Sequence, residues 1–194
     1  MSFRLEKKYK LSIYDFIKLK SNLIKTGMSK LYPSRVINST YYDNENLEMY
    51  SDSEEGLLPR KKVRIRWYNE TERFFYEVKN SSFEGRFKKT KDFVKNIDNE
   101  KLFIDKDYGL IFPSLMITYE REYFKLFNLR LTFDKNIKYK NLRFSQKKML
   151  DSERVMEIKS NDLNAIENIN YLVKNPDSRF SKYCRGLQLT NSKI

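Results

Sequence analysis

The sequence predicts an α+β fold built on one antiparallel sheet of about eight strands. Three observations carry that prediction. Stretches rich in aromatic and β-branched residues alternate with charged residues at a spacing of two, the period of a strand. Many of these stretches follow one another as hairpin-like pairs, joined by turn residues rather than long helical crossovers. Only two segments show clear helical amphipathicity, after Ser12 and after Asn161, too few for a βαβ fold.

The first strand falls in residues 3–10, with Arg4, Glu6 and Lys8 on one face and Phe3, Leu5 and Tyr9 partly opposite. Ser12, with Asp15 three residues on, forms a capping box that starts the first helix. Its expected apolar stripe is Ile13, Phe16, Ile17, Leu23 and Ile24, and Gly27 is placed to end it. Pro33 marks a loop before a second strand, Val36 to Asp43. Residues 44–59 are acidic and irregular, with a helical turn expected around Leu47–Tyr50. Arg60 to Tyr68 is the clearest strand: Lys62, Arg64, Arg66 and Tyr68 share one face, and Val63, Ile65 and Trp67 the other. Its hairpin partner spans Glu72–Lys79, and residues 86–92 pair again. Residues 93–112 have a looser, helix-like periodicity ending at Pro113. Leu115–Lys125 and Leu129–Tyr139 read as a further hairpin about Asn128. Arg154–Ser160 is the last strand, followed by a helix carrying Leu163, Ile166, Ile169, Tyr171, Leu172 and Val173 and ended by Pro176. Ser181-Lys182-Tyr183 and Arg185-Gly186-Leu187 close the ordered part.

The 194 residues suit a single domain, 1–194, able to bury its own core. Five Gly and four Pro leave little room for linkers, and no internal repeat is visible. No apolar run approaches the roughly 20 residues a membrane helix needs. No signal peptide opens the chain, and the lone Cys184 fits a reducing compartment, so a cytoplasmic location is expected. The net charge of +13, from 39 Lys and Arg against 26 Asp and Glu, attracts polyanions: nucleic acid, an anionic membrane or a phosphate-rich small molecule. The chain has no histidine, which excludes His-based triads and His-metal sites. One cysteine excludes thiolate zinc sites. Catalysis would have to use carboxylates, Lys, Arg, Tyr, Ser and an oxygen-liganded metal such as Mg or Mn.

Several strands repeat the cationic face of Lys62–Tyr68: Glu6-Lys7-Lys8, Glu77-Val78-Lys79, Tyr119-Glu120-Arg121, Arg130 to Asp134, and Glu157-Ile158-Lys159. Taken singly, each is the solvated face of a sheet. Taken together, they are also the inward face of a closed sheet with its apolar face under helices. Two like charges 4 Å apart repel by roughly 4 kcal/mol at an effective dielectric near 20. A bound phosphate chain would relieve that repulsion through charge-assisted hydrogen bonds. On the residues alone, both readings stand.

Glu6-x-Lys8, Tyr41-Tyr42-Asp43, Arg64-x-Arg66, Glu77-x-Lys79, Tyr119-x-Arg121, Arg130-x-x-x-Asp134, Glu157-x-Lys159 and Ser181-Lys182-Tyr183 together resemble the VTC domain. This is the polyphosphate polymerase domain of vacuolar transporter chaperone proteins, within the triphosphate tunnel metalloenzymes. The resemblance spans about residues 3–187 and implies a closed antiparallel β-barrel, the triphosphate tunnel, with helices packed outside. It assigns the transferring phosphates to Arg64, Arg66, Lys79 and Arg121. Further phosphate contacts fall to Lys8, Lys89, Tyr119, Arg130, Ser181 and Lys182, and a divalent metal, Mn or Mg, to Glu157 with Glu6. The related hydrolases and cyclases open with Glu-x-Glu-x-Lys. Here the first glutamate is replaced by Arg4, which favours the VTC branch over two-metal hydrolysis.

The resemblance therefore implies ATP-dependent polyphosphate synthesis. The alternatives are a triphosphatase of the same fold, with Glu6 or Glu77 as base, and a non-catalytic binder of polyphosphate or nucleic acid. Glutamates interleaved on the cationic faces count against nucleic acid, because a groove tracking a nucleic-acid backbone should be nearly all basic. The expected ligands are ATP and polyphosphate or triphosphate. Eukaryotic relatives carry membrane helices, so here a membrane partner would be a separately encoded protein.

Overall fold

The computed structural model describes residues 5–69, 71–93, 102–143, 146–167, 169–173 and 175–191. Its strands in chain order are β1 Leu5–Leu11, β2 Ser29–Asp43, β3 Arg60–Tyr68, β4 Phe74–Ser82, β5 Gly85–Phe93, β6 Phe103–Asp105, β7 Gly109–Leu126, β8 Leu129–Asn141, β9 Lys148–Leu150 and β10 Arg154–Ser160. The helices are α1 Ile13–Lys25, α2 Glu48–Glu55, α3 Leu163–Glu167 and α4 Lys182–Thr190, with a single 3-10 turn at Asn170–Leu172. The sheet runs β1-β10-β8-β7-β2-β3-β4-β5, with β6 paired to β7 and β9 to β8. The expectation of an antiparallel α+β fold with about eight strands holds: the path has eight. Among the described residues its two ends are β1 and β5.

The described residues fall into two compact units. The first comprises the chain through Val36, Tyr119–Ile137 and Leu150–Phe180; the second comprises Ile37–Thr118, Lys138–Met149 and the chain from Ser181. β2, β7 and β8 contribute to both.

In the first unit α1 covers one side of β1, β10 and β8. Ser12 caps it, accepting a hydrogen bond from the Asp15 backbone N–H at 3.1 Å and donating to the Asp15 carboxylate at 2.7 Å. The cap satisfies one of the four orphan N–H groups of a helix start. After Thr26, Gly27 takes φ +104, a backbone that L side chains rarely adopt. Phe16, Leu19 and Leu23 pack on Tyr9, Leu11, Phe124, Leu131, Phe133, Met156 and Ile158. Ile13, Ile17 and Ile24, expected in that stripe, point outward instead.

In the second unit the apolar faces of β3 and β4 meet those of β2, β6 and β7. Tyr42, Met49, Val63, Ile65 and Ile111 form that core, with Trp67, Phe74, Tyr76, Val78 and Phe103 against it. α2 is longer than the expected turn. Its second and third N–H groups, at Met49 and Tyr50, donate to the buried Asp43 carboxylate, which also accepts from Tyr183 Oη at 2.5 Å. Gly186 in α4 sits so close to β7 and β8 that an added Cβ would fall 2.5 Å from Leu115 Cδ2 and from Tyr139 Cδ1.

Other expectations need correction. Residues 103–112 are a β6–turn–β7 hairpin, with the turn at 106–108, and not helix; residues 94–101 of that reading, and Phe3 and Arg4, lie outside the described residues. Pro33 and Pro113 stand inside β2 and β7 rather than in loops. Pro removes one ladder donor and fixes φ, which a long strand tolerates at a position not needing that donor. The helix after Asp162 is brief, α3 giving way to the 3-10 turn. The C-terminal segment read only as ordered is the helix α4.

Candidate functional site

Each unit carries a cluster of charge on the sheet face opposite its apolar core, because the strand period sends alternate side chains there.

In the first unit the cluster is built in rows across three strands. Lys8 on β1 stands opposite Glu157 on β10, which stands opposite Thr132 on β8. In the next row Glu6 stands opposite Lys159, and Lys159 opposite Arg130. Glu157 is buried; its Oε1 lies 2.7 Å from Lys159 Nζ and its Oε2 3.7 Å from Arg121. Glu6 bridges Lys8 at 2.9 Å and Lys159 at 3.3 Å. Arg121, on β7, is clamped in a two-point contact by Asp134, Nε and Nη2 each at 2.6 Å, and lies over the Tyr119 ring. Burial alone would raise the Glu157 pKa. The charges of Arg121, Lys159 and Lys8 overcome it and hold this carboxyl well below the usual carboxylate range. Burial likewise works against the Arg121 charge, and Asp134 more than restores it. Lys8 also donates to the Phe180 carbonyl at 3.2 Å, and Arg130 is exposed over Tyr123.

In the second unit the cluster centres on Glu77 of β4, which is only 3% exposed. Arg64 donates to it from Nε at 2.7 Å and Nη2 approaches to 2.6 Å; Arg66 lies 3.7 Å away and Lys88 Nζ 2.5 Å. Burial would raise the Glu77 pKa, but Arg64, Arg66 and Lys88 bring it down to about 2. Arg64 Nη1 donates to Tyr41 Oη at 2.6 Å, and Arg66 Nε donates to Ser39 Oγ at 3.2 Å. The Tyr41 ring stacks on Tyr183, centroids 5.0 Å apart. Burial opposes ionisation of that phenol, yet Arg64, Arg66 and Lys62 lower its pKa to about 8. Lys79 shares the face, directly opposite Lys88.

The contrast between the clusters is chemical. In the second unit Arg64, Arg66 and Lys88 hold the Glu77 carboxylate and Lys62 and Lys79 share its face, an excess of cation suited to phosphate. In the first, Glu6, Asp134 and Glu157 nearly balance Lys8, Arg121, Arg130 and Lys159. That mixture suits phosphate oxygens together with a hard cation. Mg-type ions are commonly held by one or two carboxylates plus substrate phosphates, and Glu157 with Glu6 offers such a pair. Thr132 Oγ1, opposite Glu157, is buried without a hydrogen-bond partner, as expected beside a polar ligand. Among the described residues no group of three or more potential ligands gathers, so an all-protein metal cage is not present there.

Most of the predicted residues lie on these two faces. Glu6, Lys8, Tyr119, Arg121, Arg130 and Glu157 fall in the first unit; Arg64, Arg66 and Lys79 fall in the second. Lys89 does not: it stands opposite Val78, on the apolar side, and Lys88 takes the place assigned to it. The reason is the tight turn from Ser82 to Gly85, which pairs Glu77 with Thr90 and Lys79 with Lys88. That turn was readable as the signal. Ser181 caps α4, accepting from the Cys184 N–H at 3.3 Å and from Lys62 Nζ at 2.7 Å, and Lys182 opens the helix. Lys62, Lys159 and Tyr41 stood on the cationic faces or in the quoted motifs with no role assigned, and Lys88 and Ser39 were missed. Strand parity alone places Lys62 beside Arg64. Its neighbour Lys61 points to the other side, into Asp105 and Asp107.

The VTC domain family model matches residues 3–109 and 88–191. Among solved structures, an adenylate cyclase candidate from Bacillus halodurans superposes with a TM-score of 0.63 at 12% identity, covering 99% of this chain and 100% of its own. An adenylyl cyclase candidate from Hippeastrum, described as having a dominant triphosphatase activity, gives 0.60 at 12% identity over 97% of each chain. The capping enzyme triphosphatase of Mimivirus gives 0.50 at 10% identity over 88% of each. At these identities the likeness is one of fold, the triphosphate tunnel fold. No curated protein sequence matches. With the family's charged strands in place and its sequence pattern running over nearly the whole length, the chain belongs to the VTC domain family.

Proposed function

We propose that the chain is a polyphosphate polymerase that transfers the γ-phosphoryl group of ATP to the end of a growing polyphosphate chain, acting as one domain. The observation that carries this reading is the Glu77 cluster, in which two arginines and one lysine are already oriented by an anion. A terminal phosphate oxygen attacks the γ-phosphorus, the bond from that phosphorus to the β,γ-bridging oxygen breaks, and ADP leaves with the electron pair. The nucleophile is anionic at neutral pH, so no base is required, and the protein's contribution is position and charge. Arg64 and Arg66 offer forked donors to the transferring phosphates. Lys79, Lys62 and Lys88 add point charges. Within the first unit, Arg121, held rigid by Asp134, and Lys8 and Arg130 on the same face offer a set of phosphate donors of their own. A divalent cation, Mg or Mn, would be held by Glu157 and Glu6 and would supply neutralising charge to phosphate.

A triphosphatase is the second reading, favoured by the triphosphatase descriptions of the Hippeastrum and Mimivirus proteins. Hydrolysis wants a carboxylate to activate water, and the candidates are poorly suited. Glu77 is held at about 2 by its cations, and both Glu6 oxygens are engaged by lysines. The test is product analysis after incubation of the purified chain with ATP and Mn. Chains above three phosphates are expected; orthophosphate as the sole product overturns the polymerase. Glu157→Gln should abolish turnover, and unchanged turnover removes Glu157 from the mechanism. Among the described residues no helix is long and apolar enough to cross a membrane. The proposal includes a cytoplasmic location, from the lone Cys184, with any membrane-protein partner encoded separately.

A further inference from the structure

The outward side of α1 has no place in the account so far. Ile13, Tyr14, Ile17 and Ile24 are 58%, 66%, 62% and 51% exposed, although the sequence pattern places the isoleucines in the core. Their spacing is regular. At 100° per residue, Ile13, Ile17 and Ile24 fall within one 40° strip. Tyr14, Lys18 and Lys25 repeat the same intervals one residue on, so they form a second row alongside the first. Lys18 and Lys25 are exposed, and Lys18 Nζ lies 5.4 Å from the centre of the Tyr14 ring. The other charges of the helix are already engaged. Lys20 pairs with Glu122 at 2.7 Å, and the Asp15 carboxylate is tied to the Ser12 cap.

Three large aliphatic side chains in a row on a helix already supplied with its own core face mark a contact surface. The charges beside them select what covers it. A second copy would bring Lys18 and Lys25 against a like surface on a chain of net charge +13. An anionic lipid surface satisfies both rows at once. Its headgroup phosphates accept from the lysines, its acyl boundary receives the isoleucines, and tyrosine is favoured at that boundary. We propose that the outward side of α1 docks on an anionic membrane surface, with Ile13, Ile17 and Ile24 entering the headgroup layer and Lys18 and Lys25 bound to lipid phosphate. The inference stands apart from the polymerase reading and survives its failure.

The test is co-sedimentation of the full chain with phosphatidylcholine vesicles, with and without about 30% phosphatidylserine, a content that gives a negative surface potential. Saturating triphosphate is present throughout to occupy the other cationic clusters. The wild type is expected to sediment with anionic vesicles and not with neutral ones. The Ile13→Ser/Ile17→Ser/Ile24→Ser variant keeps every charge and is expected to lose binding about tenfold or more. Lys18→Glu/Lys25→Glu provides a second variant that leaves the apolar row intact and should also lose binding. Circular dichroism confirms that each is folded. Absence of wild-type binding overturns the proposal. So does equal binding of the isoleucine variant, which would mean adsorption through charge alone. A wild-type dimer in sedimentation equilibrium that the isoleucine variant loses overturns it in favour of a second copy.

Discussion

Tyr41 and Glu77 show how much of this chemistry is set by the immediate neighbours of one side chain. The Tyr41 ring stacks on Tyr183 and its oxygen accepts from Arg64, and three cations bring its pKa to about 8 despite burial. An ultraviolet difference titration should therefore show a phenolate forming near pH 8, ahead of the ordinary tyrosines near 10. Tyr41→Phe should remove that step, and a step that survives would belong to another residue. Glu77 works in the opposite pH range. Its folded pKa, about 2, lies below the ordinary 4.5, so its contribution to stability is fully present above about 4.5. It is lost as pH falls through about 2. Glu77→Gln leaves Arg64, Arg66 and Lys88 without their shared anion and should cost about 3 kcal/mol at neutral pH. Chemical denaturation at pH 7 and pH 3 measures both effects: the deficit of the variant should shrink at the lower pH. In the sequence Glu77 was visible as one half of Glu77-x-Lys79. The role of Tyr41 was not, because nothing local says that a tyrosine on β2 will meet an arginine on β3.

At the scale of elements, β3, β10 and the α1 cap were legible because each is written in contiguous residues. Arg60–Tyr68 alternates without interruption, and Ser12 with Asp15 is a local signal. What failed depended on register or on partners far along the chain. Residues 103–112 have too few alternations to declare strands, and it is the pairing of Phe103 with Ile111 across the turn at 106–108 that makes a hairpin of them. The outward isoleucines of α1 fit a helical stripe in sequence, yet the sheet beneath is already filled by Phe16, Leu19 and Leu23. The β4–β5 hairpin decides the difference between Lys88 and Lys89. Lys88→Ala should weaken triphosphate affinity about tenfold, in line with one charge-assisted hydrogen bond. Lys89→Ala should change it less than about twofold. Isothermal titration with inorganic triphosphate distinguishes them, and the reverse order would mean that the hairpin register is different in solution.

At the scale of the whole molecule, period two along eight strands is what separates chemistry from core. Odd positions of β3 build the apolar cluster and even ones the cationic face, while β8 does the same with Leu131 and Phe133 against Arg130 and Asp134. This division was legible in the sequence because it repeats in strand after strand. The resemblance to the VTC domain rested on that same repetition. The unequal charge balance of the two clusters was not legible, since it depends on which of the many lysines turn inward. The central claim is that the chain carries out phosphoryl transfer from ATP to polyphosphate. The most direct measurement is the chain length of the product made from ATP and Mn by the wild type, by Arg64→Lys in one unit and by Arg130→Ala in the other. The account predicts long chains from the wild type and at least about tenfold slower synthesis by each variant, the expected loss for a lost charge-assisted contact to the transferring phosphates. Orthophosphate without chains, or synthesis at the wild-type rate by either variant, would contradict it.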